Sequence, residues 1–159
     1  MRVGSSVVID APIEPVWAIV SDPERVLSFM SGVTRWEPAG PDRDGLGARY
    51  RMLLRVGAAE VGGLIEIVEW SAPTELAWTS VTGVDQRGRW RLRERPDGRT
   101  RVELRLAYGV VGSGFSGWLA ERVAAPTVSG HVRHTLTQLK RVAEHQQLRD
   151  RAAARRAAL

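Results

Sequence analysis

The chain has 159 residues, 43% hydrophobic and 26% charged, an ordinary composition for a globular protein with one core. It contains no cysteine, which excludes disulfides, thiolate metal sites and cysteine nucleophiles. Its net charge of +5, with 23 Lys and Arg that are nearly all Arg, permits contact with anionic surfaces but names no partner. The opening MRVGSSVVIDAP lacks the apolar run of a signal peptide, and no stretch approaches the roughly 18 apolar residues of a membrane span, so a cytoplasmic protein is expected.

Residues 2–11, rich in Val and Ile, predict a first strand that Ala11-Pro12 stops. Ile13, Val16, Trp17 and Val20 make a short helical stripe, and Ser21-Asp22-Pro23 then signals a second short helix over 24–30. Residues 33–38 read as a strand and 40–45 as a loop. Over 48–56 the chain alternates, with Ala48, Tyr50, Met52 and Leu54 on one face and Arg49, Arg51 and Arg55 on the other. Strands are predicted over 61–71 and 76–82, the second with Leu76, Trp78 and Ser80 on one side. The clearest pair, 86–95 and 99–110, flanks the turn Pro96-Asp97-Gly98. That turn pairs Arg93 with Arg101 and Arg91 with Glu103, and puts Trp90, Leu92, Val102, Leu104, Leu106 and Tyr108 on the opposite face.

A Gly-rich link, 109–114, leads into a long amphipathic helix. Phe115, Trp118, Leu119 and Val123 begin it; Val128, Val132, Leu136, Leu139, Val142 and Ala143 continue its apolar stripe. Pro126 between them predicts a kink. About 30 residues of helix span roughly 45 Å and need a broad apolar surface to lie on. Residues 1–148 therefore read as a single domain of the α+β class. Residues 149–159, RDRAAARRAAL, form a basic tail that either extends the helix or frays.

The segments SSVVIDAPIEPVWAIVSDPERV, IVEWSAPTELAWTS and GRWRLRERPDGRTRVELRL resemble the START-like, or SRPBCC, superfamily, in its polyketide cyclase/dehydrase-like branch. The resemblance covers about residues 3–148. It implies a helix-grip fold: a curved antiparallel sheet of about seven strands wrapped around a long C-terminal helix, with two short helices after the first strand. It also implies a deep apolar cavity between sheet and helix. It carries over no catalytic residue, because the shared motifs are turn and core positions.

The inward-facing residues are Tyr50, Met52, Leu54, Trp78, Trp90, Leu92, Leu104, Leu106 and Tyr108 from the sheet, with Leu119, Val123, Val128 and His131 from the helix. Such a set builds either a filled core or a ligand pocket whose polar anchors are the tyrosine hydroxyls, Ser80 and His131. Periodicity alone favours the filled core, and the resemblance favours the cavity. His131 and His134 lie three apart on the helix, without a third metal ligand or HExxH spacing, so no metal is expected. Glu66 and Glu69 lie in an apolar strand; if that strand is regular, one of them faces inward. The catalytic candidates are His131, Tyr108 and Glu66, set against packing or rim positions for each.

Arg87, Arg89, Arg91, Arg93 and Arg95, with Arg99, Arg101 and Arg105, predict a cationic outer sheet face. It is either a solvated face or a contact for an anionic membrane or acidic partner. No aromatic residue is interleaved there, which argues against nucleic acid. Residues 109–114 match neither a phosphate loop nor GxGxxG, GxSxG is absent, and no cofactor is expected. The leading expectation is a protein that binds a hydrophobic or amphipathic small molecule such as a lipid, quinone or polyketide. The alternatives are a cyclase/aromatase-type enzyme using the same cavity, and an interaction protein using the arginine face.

Overall fold

A computed structural model of the chain describes the backbone of residues 1–109 and 115–159, and the side chains of 1–109 and 124–159. The elements in order are β1 (Arg2–Ile9), α1 (Ile13–Val20), α2 (Val26–Phe29), β2 (Val33–Pro38), β3 (Arg49–Val56), β4 (Ala59–Ser71), β5 (Glu75–Ser80), β6 (Gln86–Glu94), β7 (Thr100–Tyr108) and α3 (Phe115–Ala157). The seven strands form one antiparallel sheet in the order β1-β7-β6-β5-β4-β3-β2. Every connection joins sheet neighbours except the one from β1, which crosses through α1 and α2 to the far edge.

Register follows the alternation of side chains. The turn at 96–98 pairs Arg91 with Glu103 and Arg93 with Arg101, as its length requires. Trp78 stands opposite Gly88 on the neighbouring strand, and its indole occupies the space a side chain at 88 would take. A Cβ built there would lie 1.9 Å from the ring.

One strand departs from regular alternation. The register of β4 against β5 shifts between Ile67 and Glu69, leaving Val68 as the extra residue of a bulge. Glu66 and Glu69, three apart, therefore both point to the outer face. The expectation that one of them reaches the interior is corrected by this bulge. Glu66 meets Arg49 at 3.5 Å, and Glu69 meets Arg89 at 2.6 Å.

The helix α3 is 43 residues long, about 65 Å, and continues on both sides of Pro126. Val128, Val132, Leu136, Leu139 and Ala143 are buried along its inner stripe. Polar ties fix its pitch against β1. Lys140 Nζ donates to the Val8 carbonyl at 2.8 Å and to Glu144 at 2.7 Å, and the Asp10 amide donates to Glu144 at 2.9 Å. No helix among the described residues is long and apolar enough to cross a membrane.

Candidate functional site

The sheet's inner face has two ends. At one, α1 and α2 cover Tyr50, Trp78 and Trp90, which are 1–2% exposed. Aromatic contacts tile this end: Trp36 stacks on Tyr50 with centroids 4.9 Å apart, Trp36 meets Trp78 edge-on at 6.4 Å, and Phe29 meets Trp90 edge-on at 6.1 Å. The remaining void is about 20 Å³, the size of one water, and the indole N–H groups of Trp36 and Trp78 are buried with no acceptor among the described residues. The Tyr50 hydroxyl donates to the Arg43 carbonyl of the 40–45 loop. Burial, with Asp44 nearby, pushes the Tyr50 phenol up to about 12.

At the other end, beneath the first half of α3, lies a cavity of about 320 Å³. Leu54 and Val56 of β3, Ala59 and Val61 of β4, Val84, Gln86 and Arg87 near the start of β6, Leu106 to Gly109 after the middle of β7, and Ala124 and Val128 of α3 line it. The wall is mostly aliphatic. Among the described residues its inward polar side chains are Gln86 and Tyr108, paired across β6 and β7; Arg87 points to the outer face and borders only the rim. The volume lies at the low end of the range for small-molecule pockets.

Of the residues singled out in the sequence, Leu54, Leu106, Tyr108 and Val128 border this cavity. Tyr50, Met52, Trp78, Trp90, Leu92 and Leu104 fill the core instead and leave no ligand-sized space beside them. Leu119 and Val123, and residues 110–114 of the Gly-rich link, lie outside the described side chains. Gly109 lines the cavity, whereas the 40–45 loop sits at the aromatic end. Val56, Val61 and Gln86 were missed. Val56 continues the Tyr50-Met52-Leu54 alternation, and Gln86 precedes Trp90 by four on one strand, so both signals were present.

His131 is not an anchor in the cavity. Its Nε2 donates to the Arg55 carbonyl at 3.0 Å, an acceptor that fixes the tautomer. Its Nδ1 then accepts from the Ser31 hydroxyl at 3.1 Å. The ring lies flat on Gly32, where φ is +82° and a Cβ would stand 2.7 Å from three ring atoms. Beside it, the Thr135 hydroxyl accepts from the Ser31 amide at 2.9 Å. These bonds pin α3 to the turn before β2 and to the end of β3. His134 is exposed and bonded to Gln138 at 3.0 Å, so the two imidazoles do not converge.

On the outer face the arginines are interleaved with carboxylates. Glu75 receives Arg89 at 3.3 Å, Arg91 at 3.2 Å and Arg93, while Glu103 receives Arg105. The Arg93 hydrogen bond holds the Glu75 carboxyl below its ordinary range. A groove of about 1030 Å³ crosses this face between Gly4, Ala77 and Ala107 and the arginines. Its lining mixes small and apolar side chains with arginines, of which Arg89, Arg91 and Arg105 are ion-paired.

A curled seven-stranded antiparallel sheet gripping a long C-terminal helix, with two short helices after the first strand, defines a START-like, helix-grip fold. Residues 1–144 match the family described as polyketide cyclase/dehydrase and lipid transport, and the chain belongs to that family. Solved structures share the fold. A Thermus thermophilus protein is 23% identical over 90% of this chain and 97% of its own, with a TM-score of 0.76. The Zhui aromatase/cyclase of a Streptomyces species is 17% identical over 92% and 94%, with a TM-score of 0.78. A START superfamily protein of Mycobacterium smegmatis is 14% identical over 89% and 98%, with a TM-score of 0.67. No curated protein sequence matches significantly.

Proposed function

We propose that this protein binds one hydrophobic or amphipathic small molecule in the cavity under the first half of α3. The observation that carries the reading is the 320 Å³ aliphatic cavity with its polar groups gathered at one edge. Such a wall favours an apolar body by the burial of its surface, about 25 cal/mol per Å² before ordering costs. Gln86 and the Tyr108 side chain would meet a polar head. A lipid, quinone or polyketide of modest size has this division. A cytoplasmic setting belongs to the same reading.

The enzymatic alternative has less support. Glu66 is on the outer face and His131 has both nitrogens engaged, so of the three candidates Tyr108 alone borders the cavity, and its hydroxyl donates to Met1 Sδ at 3.4 Å. The test is native mass spectrometry of freshly purified protein, followed by solvent extraction, on the wild type and on Leu106→Arg. The expected result is a co-purifying or added apolar molecule at about one per chain, lost in the folded variant. Equal occupancy in both proteins would sink the placement.

A further inference from the structure

The last turns of α3 take no part in the grip. Ala143 is the final core residue of the helix, and every residue from Leu148 onward is exposed. The helix nonetheless runs to Ala157, about 20 Å further. This extension lies beyond the part matched by the family.

Its charge is concentrated and one-sided. Arg149, Arg151, Arg155 and Arg156 against Asp150 give residues 149–159 a net charge of +3, out of +5 for the whole chain. At about 100° per residue, the four arginines fall within an arc of roughly 160°. Asp150 and the alanines at 153, 154 and 157 take the other side. Arg141, further back, continues the arginine side, and Leu148, 63% exposed, stands near the middle of the arc. None of these five arginines is ion-paired among the described residues, in contrast to Arg89, Arg91 and Arg93 on the sheet.

We propose that the C-terminal part of α3 is a docking surface for an anionic lipid bilayer, with the arginines on headgroup phosphates and Leu148 at the interface. Guanidinium groups pair with phosphates through two parallel hydrogen bonds. A one-sided arc suits a flat partner. A nucleic-acid groove would hold both flanks of the helix, and the flank with Asp150 presents no cation to it. The inference is independent of what occupies the cavity.

The test is flotation of the full chain with vesicles of phosphatidylcholine, with and without about one-third phosphatidylglycerol. Binding is expected only to the anionic vesicles, and lost near 1 M salt, where the screening length falls to about 3 Å. Each arginine near the surface is worth about fivefold in partitioning. Replacing Arg149, Arg151, Arg155 and Arg156 together by Ala therefore lowers it at least about a hundredfold. Alanine is the strongest helix former, so circular dichroism stays helical. Arg101→Ala with Arg105→Ala on the sheet face leaves flotation unchanged. The proposal is overturned if the wild type ignores anionic vesicles at low salt, if the fourfold variant floats like the wild type, or if the chain binds duplex DNA and not vesicles.

Discussion

At the end of the inner face covered by α1 and α2, Tyr50, Trp78 and Trp90 leave about 20 Å³ unfilled; under the first half of α3, Leu54, Leu106 and Tyr108 surround about 320 Å³. The two ends lie on the same strands. Tyr50 and Leu54 are four residues apart on β3, about 13 Å, with buried Met52 between them. Alternation alone sends all of these side chains inward. What separates the ends is side-chain volume and cover. Large rings backed by two short helices close one end, and branched aliphatics under a single helix leave the other open.

The contrast can be broken most directly by truncation. Trp90→Ala should cost about 3–5 kcal/mol in denaturant unfolding, because its neighbours cannot collapse into the space. On β7, Leu104→Ala should cost about 2–5 kcal/mol, whereas Leu106→Ala, two residues on, should cost about 1 kcal/mol because it already borders a void. Equal costs for the two leucines would mean that the cavity closes in solution.

Glu75→Gln removes the shared anion of Arg89, Arg91 and Arg93 and should destabilise by about 2 kcal/mol near neutral pH. Its carboxyl is held below its ordinary value in the fold, so this stability is present above that value and is lost as the pH falls through the folded one. Acid unfolding of the variant should accordingly be less steep. At the open end, Leu106→Arg should weaken ligand binding at least about tenfold, near 1.4 kcal/mol, with little change in melting temperature; a variant that binds normally would move the ligand elsewhere.

The smallest effect at neutral pH, about 1 kcal/mol, is expected for Tyr50→Phe, which loses one hydrogen bond to the Arg43 carbonyl. The alkaline limb is more telling. The neutral phenol is favoured by the fold, so its contribution is complete below the ordinary value of 10.0 and is lost as the pH rises toward about 12. Ultraviolet titration should show this late tyrosinate in the wild type and not in the variant.

The strand pattern and the hairpin register were legible, since turn length dictates that Arg91 faces Glu103. The cavity's position was not. Period-two alternation says which side of a sheet a residue faces, and is silent on whether facing side chains touch. Trp78 and Trp90 share the inward face with Leu106, and the alternation that allows either a filled core or a pocket does not say that the first two are filling and the third a wall. The fates of Glu66 and Glu69 hung on one unpaired residue, Val68, that no local composition marks as a bulge. His131 was legible as inward-facing, while its partners Ser31 and Arg55 are more than 70 positions away. The reach of α3 to Ala157 follows from alanine and arginine propensity once the helix is already nucleated.

The fit of Trp78 over Gly88 also bears on how the sheet assembles. A slip of β6 by one residue turns its apolar face to water. A slip by two keeps the faces correct and would otherwise go undetected, but it brings Gln86 or Trp90 beneath an indole that leaves room only for a hydrogen. The pair thus acts as an error check during folding, letting the middle of the sheet close in one alignment and stalling the nearest plausible mistakes.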